Sequence, residues 1–142
     1  MHDIYAEAEI SVEFYDCDPL KVVWHGNYFN YFEVGRRMLL EKIGYGYNEM
    51  EKSGYAFPVI EASAKFPGSL RFKDRARVKA TLEEYENRLR IKYEIRNIAT
   101  GLLTTKGVST QMAVDMRTNE SCFVCPQILI DKVEACMQEE TP

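Results

Sequence analysis

Near the start of the chain apolar and polar positions alternate: Ala6, Ala8, Ile10, Val12 and Phe14 interleave with Glu7, Glu9, Ser11, Glu13 and Tyr15. A period of two puts the two sets on opposite faces, so a half-buried β-strand is predicted. From Asn27 to Ile43 the period changes. Tyr28, Phe32, Gly35, Leu39 and Ile43 recur at helical spacing, and Tyr31, Val34 and Met38 widen the apolar stripe. Asn27 stands where an N-cap is expected and Gly44 where a helix ends in a left-handed residue.

The rest of the chain returns to a period of two. Phe57 to Lys65 reads as a strand entered at Pro58, which favours a sheet edge. Ala76, Val78, Ala80 and Leu82 alternate with Arg77, Lys79, Thr81 and Glu83. Leu89, Ile91, Tyr93 and Ile95 alternate with Arg90, Lys92, Glu94 and Arg96. The turn at Glu86-Asn87 makes these two strands an antiparallel pair. A turn at residues 99–101 precedes a strand from about Leu102 to Met116. Pro126 opens a tail helix carrying Leu129, Ile130, Val133 and Met137. Strands in succession imply an α+β fold with an antiparallel sheet of about five strands and one long helix, in a single domain spanning residues 1–142. One helix cannot cover both faces of such a sheet, so the outer face is polar or copies of the chain associate, and association is the expectation.

Composition narrows the function classes. With 46% hydrophobic and 28% charged residues in 142, the chain is not disordered. A net charge of −4 argues against sequence-independent nucleic-acid binding, which rests on Lys and Arg. The charge is uneven, however: residues 65–106 carry about +6 and the remainder about −10. Solvated strand faces explain this, and so does a landing surface for an anionic ligand. No apolar run is long enough to cross a bilayer and Met1-His2-Asp3 begins no signal peptide, so a cytoplasmic address is expected. Cys17, Cys122, Cys125 and Cys136, with only His2 and His25 beside them, make neither a disulfide framework nor a zinc site. No metal is expected.

The densest chemistry lies between the first strand and the long helix, in the run Phe14-Tyr-Asp-Cys-Asp-Pro-Leu-Lys-Val-Val-Trp-His-Gly-Asn-Tyr28. A helix start supplies unpaired N–H groups and the positive end of a dipole, which stabilise a developing oxyanion. A nearby carboxylate can serve as base or nucleophile. Read from spacing alone, Asp16 and Asp18 could equally make turn bonds and His25 could be an ordinary polar residue.

This segment resembles the signature of the hotdog-fold thioesterases of the 4-hydroxybenzoyl-CoA thioesterase family, in which an Asp-X-Asp turn precedes Val-Val or Val-Trp, then His or Tyr, then Asn-Tyr. Glu33 and Arg36-Arg37, the run Phe57 to Ser63, and Phe72-Lys-Asp74 resemble further family positions. The resemblance implies a hotdog fold, a sheet wrapped around one central helix, and acyl-CoA hydrolysis to free acid and coenzyme A. It matches Asp18 to the essential carboxylate, acting as base or nucleophile, and the His25 amide to the oxyanion site. Glu61 and Ser63 match a strand contributed by a neighbouring subunit, implying a homodimer or homotetramer. Arg88 matches a basic position for coenzyme A, and the charge map adds Arg90. The acyl pocket is expected against Tyr28, Phe32, Val59 and Ile60. No cofactor is implied, since coenzyme A is part of the substrate. Basic residues that aromatic-specific members carry before Arg88 are here Glu86 and Asn87, so hydroxybenzoyl specificity is not carried over. A non-catalytic module binding acyl-CoA or an acyl carrier protein is the alternative.

Overall fold

The computed structural model describes residues 3–139. The first strand, β1 (Tyr5–Ser11), is followed by a single 3-10 turn at Phe14–Asp16 and the long helix α1 (Asn27–Lys42). A short helix α2 (Tyr47–Ser53) and a short strand β2 (Tyr55–Ala56) lead into β3 (Val59–Lys65), β4 (Arg75–Glu84), β5 (Leu89–Asn97) and β6 (Leu103–Gln111). β7 (Val114–Asp115), β8 (Glu120–Ser121) and the helix α3 (Gln127–Glu139) complete the described chain. The main sheet is antiparallel with order β1-β4-β5-β6-β3, and β2, β7 and β8 form a second, small sheet. The α+β class, the five strands and the β4–β5 pair are as the periodicities require, and β3 lies at an edge as Pro58 implied.

The alternation on β4 and β5 is what seats the helix. Ala76, Val78 and Ala80 of β4 and Leu89, Ile91, Tyr93 and Ile95 of β5 are buried against Phe32, Leu39 and Leu40 of α1. Gly35 allows the close approach, because a Cβ there would lie 2.9 Å from Val78 Cγ1. At the other end of the stripe Phe32 stacks on Tyr93 at 4.5 Å and lies against Gly107, where any side chain would overlap its ring.

The opposite face of the sheet is polar. Glu9 pairs with Arg75, Glu7 with Arg77 at 3.6 Å, Glu94 with Arg96 at 3.4 Å and Glu83 with Arg90 at 2.9 Å. Of these carboxylates only Glu7 and Glu9 come from outside residues 65–106, so the ladder offsets about two of that segment's six net positive charges and leaves about four. Water can solvate that face, and the unsatisfied part of the sheet is instead the β3 edge, where every residue but Ala64 is exposed.

Several local readings change. The alternation continues formally to Phe14, but the strand stops at Ser11 and Phe14 is 76% exposed. Glu13 and Asp16 form a capping box that turns the chain, while Val12 stays in the core with its N–H on Asp74 O. Gly26 occupies the N-cap position, and Asn27 instead donates Nδ2 to Asp16 O at 2.8 Å. Leu40, not Met38, belongs to the buried stripe. The last predicted strand breaks after Gln111, and Val114–Asp115 joins the small sheet.

Candidate active site

Residues 16–24 fold back on themselves as a narrow antiparallel ladder. Trp24 N–H donates to Asp16 O, Cys17 bridges Val23, and Asp18 N–H donates to Val22 O. Pro19, Leu20 and Lys21 form the tip, with Lys21 held at φ 68°, a conformation costly for a residue with a side chain. The ladder is anchored to the rest of the fold by Val23 N–H on Leu70 O at 2.8 Å.

Asp16 is the hub of this loop. Its carboxylate Oδ2 accepts from Tyr31 OH at 2.9 Å and from Glu13 N–H at 3.0 Å, and its carbonyl accepts from Asn27 and Trp24. Burial, and then the bond to the Asp16 carboxylate, raise the Tyr31 phenol well above the ordinary tyrosine range, so it serves here only as a donor. The turn-shaping reading of Asp16 therefore holds.

Asp18 is differently placed. Its Oδ1 accepts from Leu20 N–H at 2.8 Å, which fixes the carboxylate, while Oδ2 has no partner among the described residues. His25 follows the last rung of the ladder, with its ring 5.2 Å from Trp24 and 6.4 Å from Phe66. The amides of His25 and Gly26 find no acceptor among the described residues, whereas those of Trp24, Asn27 and Tyr28 are all used. The half-exposed Trp24 ring covers Gly26 so closely that a Cβ there would overlap it. One loop thus presents a free carboxylate oxygen and two free N–H groups at the start of α1, a combination suited to acyl transfer.

The remaining predicted site residues are distributed unevenly. Tyr28 and Phe32 are core residues in the single chain, Tyr28 accepting Leu70 N–H at 3.1 Å. Trp24, Phe29 and Phe66 are among the aromatic side chains left partly exposed beside the loop. Phe66 escaped the sequence reading because it lies one residue beyond the strand alternation. Val59, Ile60, Glu61 and Ser63 are exposed on β3, with a bulge between Val59 and Glu61. Glu61 is five residues before Phe66, about 16 Å along an extended strand, so within one chain it does not join Asp18. Arg88 is exposed in the β4–β5 turn, at the far end of β4 from the Asp18 loop, about 30 Å away by strand length. Arg90, at the same end, is engaged by Glu83 Oε2 and by Thr110 Oγ1 at 3.0 Å.

A five-stranded antiparallel sheet on one long helix, with a carboxylate turn at the helix start, is the architecture that the resemblance to the hotdog thioesterases implied. Residues 12–134 match the thioesterase-like superfamily, and the chain belongs to that family. It is 32% identical over 111 residues, 78% of this chain and 80% of that protein, to a Bacillus subtilis (strain 168) protein named "Putative acyl-CoA thioesterase YneP". The crystal structure of a DHNA-CoA thioesterase from Staphylococcus aureus superimposes with a TM-score of 0.81 at 30% identity, covering 97% of this chain and 96% of that one. A chloroplastic acyl-acyl carrier protein thioesterase of Arabidopsis thaliana is 37% identical over 78 residues, 55% of this chain and 41% of that protein.

Proposed function

We propose that the protein hydrolyses acyl-CoA thioesters to a free acid and coenzyme A, with Asp18 as the reacting carboxylate. The observation that carries this reading is the pairing, in one loop, of the free Asp18 Oδ2 with the unpaired amides of His25 and Gly26. The thioester oxygen accepts from these amides, so charge that develops on it in the transition state is stabilised. Asp18 Oδ2 then either takes a proton from an attacking water or attacks the carbonyl itself to form a mixed anhydride that water opens. In both routes the C–S bond breaks, the sulfur leaves as a thiolate that takes up a proton, and one water is consumed. No cofactor takes part, because coenzyme A arrives and leaves with the substrate.

The working unit in this reading is at least a dimer. Val59, Ile60, Glu61, Ser63 and Arg88 all lie toward the end of the sheet opposite Asp18, and β3 is an exposed edge. Two copies paired antiparallel along β3, centred on Ser63, set each Asp18 beside the other copy's Glu61 and the end that bears its Arg88. The second copy then covers Ile60 and Phe66, and the acyl group lies between the subunits against small or medium apolar surface. No described helix is long and apolar enough to cross a membrane, and an acyl-CoA substrate fits a cytoplasmic reaction.

The test is a thiol-release assay over aliphatic acyl-CoA chain lengths and benzoyl-CoA. Hydrolysis of short or medium chains, with one chain length or ring preferred, supports the reading. Tight acyl-CoA binding without thiol release overturns it in favour of a binding module.

A further inference from the structure

On the polar face of the sheet two arginines meet head-on. Arg77 of β4 and Arg96 of β5 stand directly opposite each other in register, and like charges in that arrangement repel. The close ion pairs of this face belong to other arginines, Arg75 with Glu9 and Arg90 with Glu83. Arg77 Nε lies 3.6 Å from Glu7 Oε2 and Arg96 Nη2 lies 3.4 Å from Glu94 Oε2. Both distances exceed the length of about 2.7–2.9 Å usual for a charge-assisted hydrogen bond. At 53% and 52% exposure the two guanidiniums keep most of their N–H donors open.

Both line a hollow of about 350 Å³, at the small end of the range for small-molecule sites, together with Lys79, Asn97 and Gly101. Arg96 Nη1 also donates to Gly101 O at 3.3 Å, which ties its guanidinium to the β5–β6 turn. Lys79 Nζ stands over the Tyr5 ring at 4.4 Å and has no carboxylate partner among the described residues. Asn97 Oδ1 accepts from the N–H groups of Ala99 and Thr100, which leaves Nδ2 as a donor. Gly101, at φ 73°, has nothing within 4 Å of where a Cβ would stand, so the hollow is open at the turn. Three cations face two carboxylates here, and all three come from the basic stretch 65–106 whose surplus the ion pairs of this face do not remove.

We propose that this hollow binds the phosphate group of a small anionic metabolite, clasped between Arg77 and Arg96 with Lys79 beside it. A carboxylate offers a single pair of oxygens, which one guanidinium fork fills. A phosphate dianion has further oxygens, so it accepts from both forks at once and cancels the repulsion between them. Free phosphate and the phosphate of a nucleotide share this chemistry. The hollow lies on the face of the sheet turned away from α1, and its residues belong neither to the loop that carries Asp18 nor to the turn that bears Arg88. The inference therefore stands apart from the hydrolase reading.

Calorimetric titrations with inorganic phosphate and with ADP, at an ionic strength held constant by chloride, compare wild type with Arg77→Gln and with Arg96→Gln. Wild type should bind at least one of the two ligands, and each substitution should weaken that binding about tenfold or more, the effect of losing one charged hydrogen-bonding group. ADP bound about tenfold or more tightly than phosphate assigns the site to a nucleotide, and similar affinities assign it to phosphate itself. Thermal melts add a reading that a merely structural pair of arginines would not give. Without ligand, Arg96→Gln should melt no lower than wild type, because a like charge has been removed, and added ligand should raise the Tm of wild type more than that of the variant. Failure of both ligands to bind wild type, binding that both variants retain unchanged, or a lower Tm for ligand-free Arg96→Gln overturns the proposal.

Discussion

Replacing Tyr31 with Phe removes one oxygen from the centre of the Asp16 hub. That oxygen donates to Asp16 Oδ2 at 2.9 Å from a side chain only 7% exposed. A hydrogen bond to a charged acceptor contributes about 1.5–3 kcal/mol. Asp16 is half-buried and keeps Glu13 N–H, so water recovers part of the loss and about 1–2 kcal/mol is expected. For a domain of this size that lowers Tm by about 3–6 °C. The activity effect distinguishes positioning from plain stability. Asp16 sets the ladder that presents Asp18, so Tyr31→Phe should lower kcat about three- to tenfold with KM little changed. Tyr45→Phe is the control: it deletes the bond to Ser53 Oγ at 2.7 Å, remote from the loop, and should cost stability without lowering kcat. The assays are thermal melts and steady-state thiol release at a temperature where every variant is folded. A Tyr31→Phe protein with wild-type Tm and kcat, or one that only tracks Tyr45→Phe, would refute the hub.

Two further expectations follow from the same geometry. Ile60, 50% exposed on β3, is covered by the second copy in the proposed pairing, so Ile60→Glu should yield a folded monomer by sedimentation with at least about tenfold lower activity, because an unpaired charge cannot be buried there cheaply; a fully active monomer would contradict the shared site. Alkaline pH should destabilise the fold. Burial pushes the Cys125 thiol up to about 11 and the Tyr93 phenol up to about 12, so folding holds both protons more tightly than the unfolded chain does. Stability from these groups is complete below about pH 8.5, the ordinary thiol value, and declines as pH rises toward 11 for Cys125 and, from about pH 10, toward 12 for Tyr93. A Cys125→Ala protein should lose the lower part of that decline in melts at successive pH values, and an unchanged profile would count against it.

The architecture was legible because β4, β5 and α1 each obey one period and bury the face that period selects. Where two signals competed, periodicity misled. Phe14 continues the alternation, but the Glu13–Asp16 capping box bends the chain first. Asn27 is a good N-cap residue, yet its side chain is drawn to Asp16 O, and the hydrogen bond that matters most to the loop, Tyr31 to Asp16, joins residues fifteen apart in sequence. Tyr31 looked like part of a core stripe, and it is one, with its hydroxyl serving the loop as well. The dispersal of Glu61, Ser63 and Arg88 from Asp18 depends on strand direction and sheet order, which no single segment encodes. Arg90 read as a free cation because Glu83 and Thr110 meet it only once β4, β5 and β6 are in register.

The central claim is that Asp18 Oδ2 performs the chemistry while Oδ1 holds the turn. Asp18→Asn keeps an acceptor for Leu20 N–H and places an amide where the reacting oxygen was. The decisive measurement is kcat for an acyl-CoA substrate with this variant, alongside its melt and its acyl-CoA affinity. The account predicts wild-type folding and binding within about threefold, with kcat reduced by about a hundredfold or more. A folded Asp18→Asn protein that turns over at the wild-type rate would contradict it.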